Sequence, residues 1–456
     1  MSALWRWPEL CQALGLAPQA GPDITGISID SRTIRPGELF FALPGDPGPR
    51  FNPGHRSDLD GHDFIDAALA NGAAGVVAHD GRPREAPQLQ VGDTLEALWH
   101  LGAAARARLR GPVVAVTGSS GKTTAKGFLA RALGAFATGG SLNNHLGVPL
   151  SLALTPRDAS AAVYELGTNH PGEIAPLARL ARPHVAVVLN VHPAHRANFV
   201  DMAALLGEKL SIHEGLEPGG ALVLEASLDV RCLSLREGVR VCRFGNAAEA
   251  TVALLERGGD HARYRLPTGE VRARVPGGGA HRAATLAAVL CVLHSLGRDL
   301  EPALALPDEL VPAGRGRAVA AGGITVLDDS YNANPESMRA ALASLSGRQG
   351  RRRFALLGEM LELGEQSARF HRQLAEAAGE LDGVFGVGAG MEPLMAALPE
   401  AKALDWRPEA DAALIDRIAA TLGPGDLLLV KGSNRVFWSR DFVRRLVAQL
   451  GEQPVA

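Results

Sequence analysis

Short apolar runs separated by Ala/Leu-rich stretches recur along the chain, which predicts strands alternating with helices. The first ninety residues open with a short helix. Strand-like runs follow at Ile24 to Ile29 and Leu39 to Leu43, then a helix at about Phe64 to Ala70 and a strand at Val76 and Val77. A Pro/Gly-rich loop, Asp46 to Arg56, interrupts this small α/β unit. A helical stretch, Thr94 to Leu109, is broken by Gly111 and Pro112, and Val113 to Val116 then reads as a buried strand. Strand runs at Val185 to Leu189 and Ala221 to Leu224 continue the alternation to about Val311, implying a mostly parallel sheet. PAGRGR, Pro312 to Arg317, reads as a linker. Strands at Ile324 to Leu327, Phe354 to Leu357, Val384 to Val387 and Leu427 to Val430, with helices between, predict a Rossmann-like unit. The expectation is an α/β protein of three domains: 1–92 small α/β, 93–312 central with a mostly parallel sheet, and 313–456 Rossmann-like.

Composition adds limits. The 456 residues are 46% hydrophobic and 21% charged, enough for globular cores. The net charge of -3 gives no global reason to bind nucleic acid. No apolar run approaches a membrane span, and the N-terminus lacks a signal-peptide pattern. Cys11, Cys232, Cys242 and Cys291 are scattered, which suits a reducing cytoplasm. Only five lysines occur, Lys122, Lys126, Lys209, Lys402 and Lys431, among 46 basic residues. Where arginine serves for plain charge, a retained lysine points to work that needs a compact or titratable amine.

The strand Val113 to Val116 runs into TGSSGKTT, Thr117 to Thr124, and then a helix from about Ala125. Small residues let backbone amides approach phosphate, and the helix N-terminus adds positive potential. Gly118, Ser119, Ser120, Gly121, Lys122, Thr123 and Thr124 are therefore expected at a nucleotide. Lys122 reaches its β- and γ-phosphates, and Thr123 is placed to ligate Mg²⁺. Val116 stands where the longer phosphate-loop pattern has its first glycine, so this is a shortened form.

That loop, together with SLNNHLGVP (Ser141 to Pro149) and ELGTNHPGEI (Glu165 to Ile174), resembles the Mur ligase family. SRTIRPGELFFALPG (Ser31 to Gly45), DGHDF (Asp60 to Phe64), DDSYNANPESM (Asp328 to Met338), GEMLELG and LVKGS (Leu429 to Ser433) extend the resemblance over nearly the whole chain. It implies an ATP-dependent amide-bond ligase of cytoplasmic peptidoglycan precursor synthesis, monomeric by family default, without nucleic-acid partners or membrane insertion. DDSYNANP is similar to the string of members that add D-alanyl-D-alanine to UDP-muramyl tripeptide.

By the same resemblance Lys122, Glu165, His195 and Lys209 are catalytic, and Thr123, Glu165, His195 and Lys209 belong to the Mg²⁺ site, Lys209 as a carbamate. Asn144, His281, Arg282 and Arg315 join the ATP site. Ser31, Arg32, Gly45, Asp60, Gly61 and His62 bind the UDP-substrate. Asp329, Tyr331, Asn332, Asn334 and Lys431 serve the dipeptide and domain closure. Two departures stand out. Arg282 replaces an asparagine expected beside adenine, which predicts altered adenine recognition. Arg196, Ala197, Asn198 and Phe199 lack the acidic residue expected after the histidine. Two other functions compete: a relative that adds a single amino acid, and a nucleotide-binding partner protein that does not ligate. The DDSYNANP string counts against the first, and the set Lys122, Glu165, His195 and Lys209 against the second.

Overall fold

The computed structural model describes residues 3–46, 59–192, 198–230, 233–361 and 363–451. Most of the Pro/Gly-rich loop, and His195, lie outside the described residues.

Three sheets follow one another along the chain. The first holds β1 (Gly26–Ser28), β2 (Glu38–Phe41), β3 (Gly75–Ala78) and β4 (Gln88–Gln90), parallel and in sequence order. The second contains β5 (Val113–Thr117), β6 (Ala162–Glu165), β7 (Val185–Val188), β8 (Ala221–Glu225), β9 (Arg240–Gly245), β10 (Val252–Gly258), β11 (His261–Leu266) and β12 (Gly269–Arg274). Its order is β12-β11-β10-β9-β8-β7-β5-β6. The third is ordered β13-β14-β18-β15-β16-β17, from β13 (Arg317–Ala321), β14 (Ile324–Asp329), β15 (Arg353–Gly358), β16 (Gly383–Val387), β17 (Ala403–Arg407) and β18 (Leu427–Lys431).

The strands β5 to β7 are buried on both faces and pair in parallel, which explains their continuous apolar reading. The expected helix–strand alternation fails after β8. There the chain runs through four strands in succession, and β10, β11 and β12 pair antiparallel. Polar residues on the open face of β11 and β12 hide this sheet extension from a search for apolar runs. β13 is an addition to the expected strands, beginning at Arg317, the last residue of the expected linker. It pairs antiparallel with β14 through a short run of Ala and Val.

The two junctions between these units are built differently. At the first, one apolar cluster joins Trp5, Trp7 and Phe41 to Leu98, Leu101, Leu150 and Ala153 of the middle unit. The Trp5 indole donates to the Ala153 carbonyl at 2.8 Å, and the Arg108 guanidinium lies 3.6 Å from the Trp5 ring centroid. At the second junction the middle-unit and C-terminal cores are separate clusters. Contacts across it are polar: Arg315 Nη2 to Ser141 Oγ at 2.9 Å, Arg348 Nη2 to the Gly277 carbonyl at 3.0 Å, and His192 Nδ1 to Glu336 Oε2 at 3.2 Å.

A shared dry core resists relative motion, whereas a few polar contacts exchange readily with water. Rearrangement on ligand binding is therefore expected at the second junction. Solution scattering with the nucleotide and acceptor that the family resemblance implies, the nucleotide in a non-hydrolysable form, should show a smaller radius of gyration than the free protein. An unchanged radius with both ligands bound would refute this.

Candidate active site

The carboxyl ends of β5, β6 and β7 lie side by side, with Val116 paired to Glu165 and Thr117 to Val188. The phosphate loop, Glu165 and the loop after β7 therefore open into one crevice, where parallel sheets place ligands. The helix that follows the loop spans Lys122–Leu133, starting three residues earlier than expected. Its N-cap is Gly121 at φ +79°, a left-handed conformation that strains other residues and directs the first helical amides into the crevice. Asn190 braces the loop: its Oδ1 accepts from the Ser120 amide at 2.9 Å, and its backbone carbonyl accepts from the Ser119 amide.

Glu165 is the node of the site. Its Oε2 accepts from the Thr123 hydroxyl at 2.9 Å, and its Oε1 accepts from the Asn143 amide at 2.7 Å. Lys126 Nζ lies 3.9 Å from Oε2 and donates to the carbonyls of Thr138 and Gly140. Thr123 Oγ1 also lies 3.1 Å from Ser141 Oγ, the group that accepts from Arg315. Lys122 Nζ is folded onto the Gly118 carbonyl at 2.8 Å. Burial pushes the ammonium pKa of Lys122 down, as does the charge of Arg315, against the pull of Glu165; Lys126 shifts the same way for the same reasons.

Lys209 lies on the helix Met202–Leu210 and is 2% exposed. Its pKa is lowered to about 7, chiefly by burial and also by the charge of Lys122, with Glu208 opposing them. The Glu208 carboxylate is itself engaged, accepting from the amides of Gly172 and Ile174. The oxygen donors Thr123 and Glu165 suit a hard divalent cation that keeps most of its own water.

On the C-terminal side, Asp329 ends β14 and Lys431 ends β18, paired in register. Their side chains meet at 2.7 Å, and Lys431 also donates to the Asn332 carbonyl. Asn334 caps the helix Pro335–Ser346, accepting from the Ser337 amide, so this member of the string has a local job. The Asn332 side chain accepts from the Ala333 amide. Tyr331 lies beneath the Arg315 guanidinium, 4.1 Å from ring centroid to Cζ. His281 borders the same cleft, where crowding and the charges of Arg282, Lys431 and Arg348 push its pKa down. The Asn144 side chain accepts from the amides of Leu146 and Gly147 at the start of a helix, and its neighbour Asn143 faces Glu165.

Arg282 is 3% exposed, and among the described residues its guanidinium donates to backbone carbonyls of the Gly277–Gly278 turn and of Arg315–Gly316. The expectation that it faces adenine gives way to this occupation, because the bonds hold its guanidinium against the linker.

In the N-terminal unit Asp60 accepts from the His62 amide and lies 2.6 Å from His62 Nδ1, while His62 Nε2 accepts from the His79 amide. Gly61 sits so close to Leu43 that a Cβ would lie 2.6 Å from its backbone nitrogen and oxygen. Ser31 is buried and receives the Asn71 amide on its carbonyl. Arg32 is exposed and pairs with Asp30, and Gly45 is half-buried. Ser141, Asn143, Lys126 and Asn190 were not singled out as site residues. The first two lie inside SLNNHLGVP, and Lys126 is one of the scarce lysines, one helical turn beyond Lys122.

Three adjoining stretches match Mur ligase family profiles: residues 23–105 the catalytic domain of the Mur ligase family, 116–293 the Mur ligase middle domain, and 314–434 the Mur ligase glutamate ligase domain. The UDP-N-acetylmuramoyl-tripeptide--D-alanyl-D-alanine ligase of Escherichia coli (strain K12) is 35% identical over 437 residues, covering 91% of this chain and 92% of that protein. The chain belongs to the Mur ligase family. Two solved Mur ligase structures place the described fold beside it. MurF from Acinetobacter baumannii superposes with a TM-score of 0.80 at 30% identity, covering 98% of this chain and 99% of that one. MurF ligase from Thermotoga maritima, in complex with ADP, gives 0.76 at 28% identity over 93% and 97%.

In this Mur ligase the Lys122→Ala substitution should lower turnover about 10²-fold or more, since a preorganised cation is lost from the transferring phosphoryl group. Phosphate release measures it, with circular dichroism to show an intact fold. Near-normal turnover would remove Lys122 from the chemistry.

Proposed function

We propose that this chain joins D-alanyl-D-alanine to UDP-N-acetylmuramoyl-tripeptide, with ATP converted to ADP and phosphate. The observation that carries this reading is the Thr123–Glu165 node beside Lys122 and Arg315, in a chain 35% identical over 91% of its length to a ligase bearing that name. Building a cell-wall precursor from ATP and a UDP-linked peptide is work of the cytoplasm. Among the described residues no helix is long and apolar enough to cross a membrane.

A carboxylate and ATP are both anions, so their approach needs charge neutralisation and alignment above all. The terminal carboxylate of the tripeptide attacks the γ-phosphorus, and ADP leaves. The acyl phosphate so formed is attacked by the dipeptide amine, and the tetrahedral adduct expels phosphate and loses a proton. Lys122 exchanges the Gly118 carbonyl for phosphate oxygens, and the loop amides after Gly121 hold the β-phosphate. Thr123 and Glu165 would hold Mg²⁺, with His195 as a further ligand by family resemblance. A cation held there would supply positive charge against the negative charge that grows during transfer. Asp329 and Lys431 present a fixed ion pair to the dipeptide at the cleft. The residues around Ser31, Gly45 and Asp60 to His62 hold the uridine end of the acceptor. Arg32 supplies an exposed cation there.

Lys209 completes the reading as a carbamate: its neutral amine attacks CO₂, forms an N–C bond and releases a proton. Its depressed pKa means that the reactive neutral form prevails as pH rises through about 7. The resulting anion relieves the crowding of cations around Lys122. Arginine keeps a charge but has no amine able to react, so Lys209→Arg should lose at least about 10²-fold in turnover. Chemical trapping with ¹³C-labelled bicarbonate should tag Lys209 in the wild type, more strongly above pH 7 than below it at equal dissolved CO₂. Full activity of Lys209→Arg, or an untagged Lys209, would return this residue to a structural role.

The substrate assignment has its own test. Phosphate release from ATP with UDP-muramyl tripeptide should require D-alanyl-D-alanine and fall to background when single amino acids replace it. Turnover with a diamino acid instead would assign the chain to a neighbouring activity.

A further inference from the structure

Arg282 occupies an unusual position. A guanidinium buried to 3% exposure ordinarily seeks a carboxylate, yet here its hydrogen bonds all go to carbonyls. Nη1 donates to the carbonyls of Gly277 and Gly278 at 2.9 and 3.1 Å. Nη2 donates to those of Arg315 and Gly316 at 2.9 and 3.0 Å. Four carbonyl dipoles stand in for a counter-ion. The charges of Asp329 and Asp308 help, although burial still lowers the pKa of the group.

The two carbonyl pairs belong to different units. Gly277 and Gly278 lie in the turn before the helix Ala280–Ser295 of the middle unit, whereas Arg315 and Gly316 immediately precede β13. The fork thus staples the linker to the middle unit. Glycine makes the fit possible: a Cβ on Gly316 would lie 2.3 Å from Nη2, and one on Gly277 3.0 Å from Nη1.

The bond to the Arg315 carbonyl matters because of where the Arg315 side chain goes. It crosses to Ser141 Oγ at 2.9 Å, and that oxygen lies 3.1 Å from Thr123 Oγ1, which donates to Glu165. Tyr331 supports the same guanidinium from below. A continuous path therefore runs from Arg282, through the linker backbone and the Arg315 side chain, to the Thr123–Glu165 node.

We infer that Arg282 is a positioning residue for phosphoryl transfer: it fixes the linker so that Arg315 is delivered to the nucleotide site. The inference rests on the proposed function, in which Arg315 lies beside the transferring phosphates. Lysine cannot take over, because one ammonium cannot span two carbonyl pairs on separate segments in a planar fork.

The test compares Arg282→Asn, Arg282→Lys, Arg315→Ala and the double variant Arg282→Asn/Arg315→Ala by phosphate release in the full-length protein. Arg282→Asn should lower kcat about tenfold and leave the KM for UDP-muramyl tripeptide unmoved, as expected when a catalytic group is misplaced but the acceptor site is intact. Arg282→Lys should not rescue the rate. The double variant should match Arg315→Ala alone, since groups acting through one path are not additive. Should Arg282→Asn fail to fold, Gly316→Ala displaces the guanidinium with Arg282 retained and should show the same loss of kcat. Three results would overturn the inference: wild-type kcat in a folded Arg282→Asn, wild-type kcat in a folded Gly316→Ala, or multiplicative losses in the double variant. Wild-type turnover in Arg315→Ala would instead remove Arg315 from the nucleotide site, and the inference with it. Impaired Arg315→Ala beside normal Arg282→Asn would overturn the inference alone.

Discussion

Glu165 is a buried carboxylate that must balance several buried or half-buried cations. Lys122 and Lys126 lie within its field, Arg315 adds positive charge beside both, and Lys209 lies within the field of Lys122. The lysine pKa values fall chiefly because burial disfavours the charged amine, and further because neighbouring cations repel it. Between its depressed folded value of about 7 and the ordinary value of 10.5, Lys209 binds more proton when unfolded than when folded. Its contribution to stability therefore grows as pH rises across that window. A polyphosphate supplies the missing negative charge, so the crevice attracts its ligand through the same charges that make the empty fold costly. The local details serve this balance: Asn143 orients the carboxylate, carbonyls of Thr138 and Gly140 hold Lys126, and Asn190 braces the loop.

Much of this was legible in the chain. The phosphate loop showed itself because backbone approach to phosphate demands small residues and a lysine in fixed order. Strands such as Val113–Thr117 and Leu427–Lys431 showed themselves because burial on both faces removes every polar residue. The scarcity of lysine carried information too. Lys126, Lys209 and Lys431 are buried, and each sits at or beside a charged group of the site. The antiparallel strands after β9 were missed because their outer face is polar. β13 was missed because its Ala and Val run is short and flanked by glycine.

Arg282 marks the boundary of what residue types reveal. Its partners are carbonyls, and every residue has one. The only trace such a partnership leaves in a sequence is negative, glycines at Gly277 and Gly316 where a side chain would collide. Asn334 illustrates the converse. A string that resembles a family motif contains one member engaged as an ordinary helix cap and another, Asp329, paired across the sheet. Function and local folding share the same eight residues.

The apolar cluster joining Trp5 and Trp7 to Leu150 and Ala153 has a consequence for how the molecule comes apart. Chain segments that complete one another's core melt together. The N-terminal and middle units therefore form one cooperative block despite carrying two sheets, while the C-terminal unit owns its core outright. A protease cutting near residue 312 would release two self-sufficient pieces. A cut near residue 92 would separate the two tryptophans from the helix that shares their core.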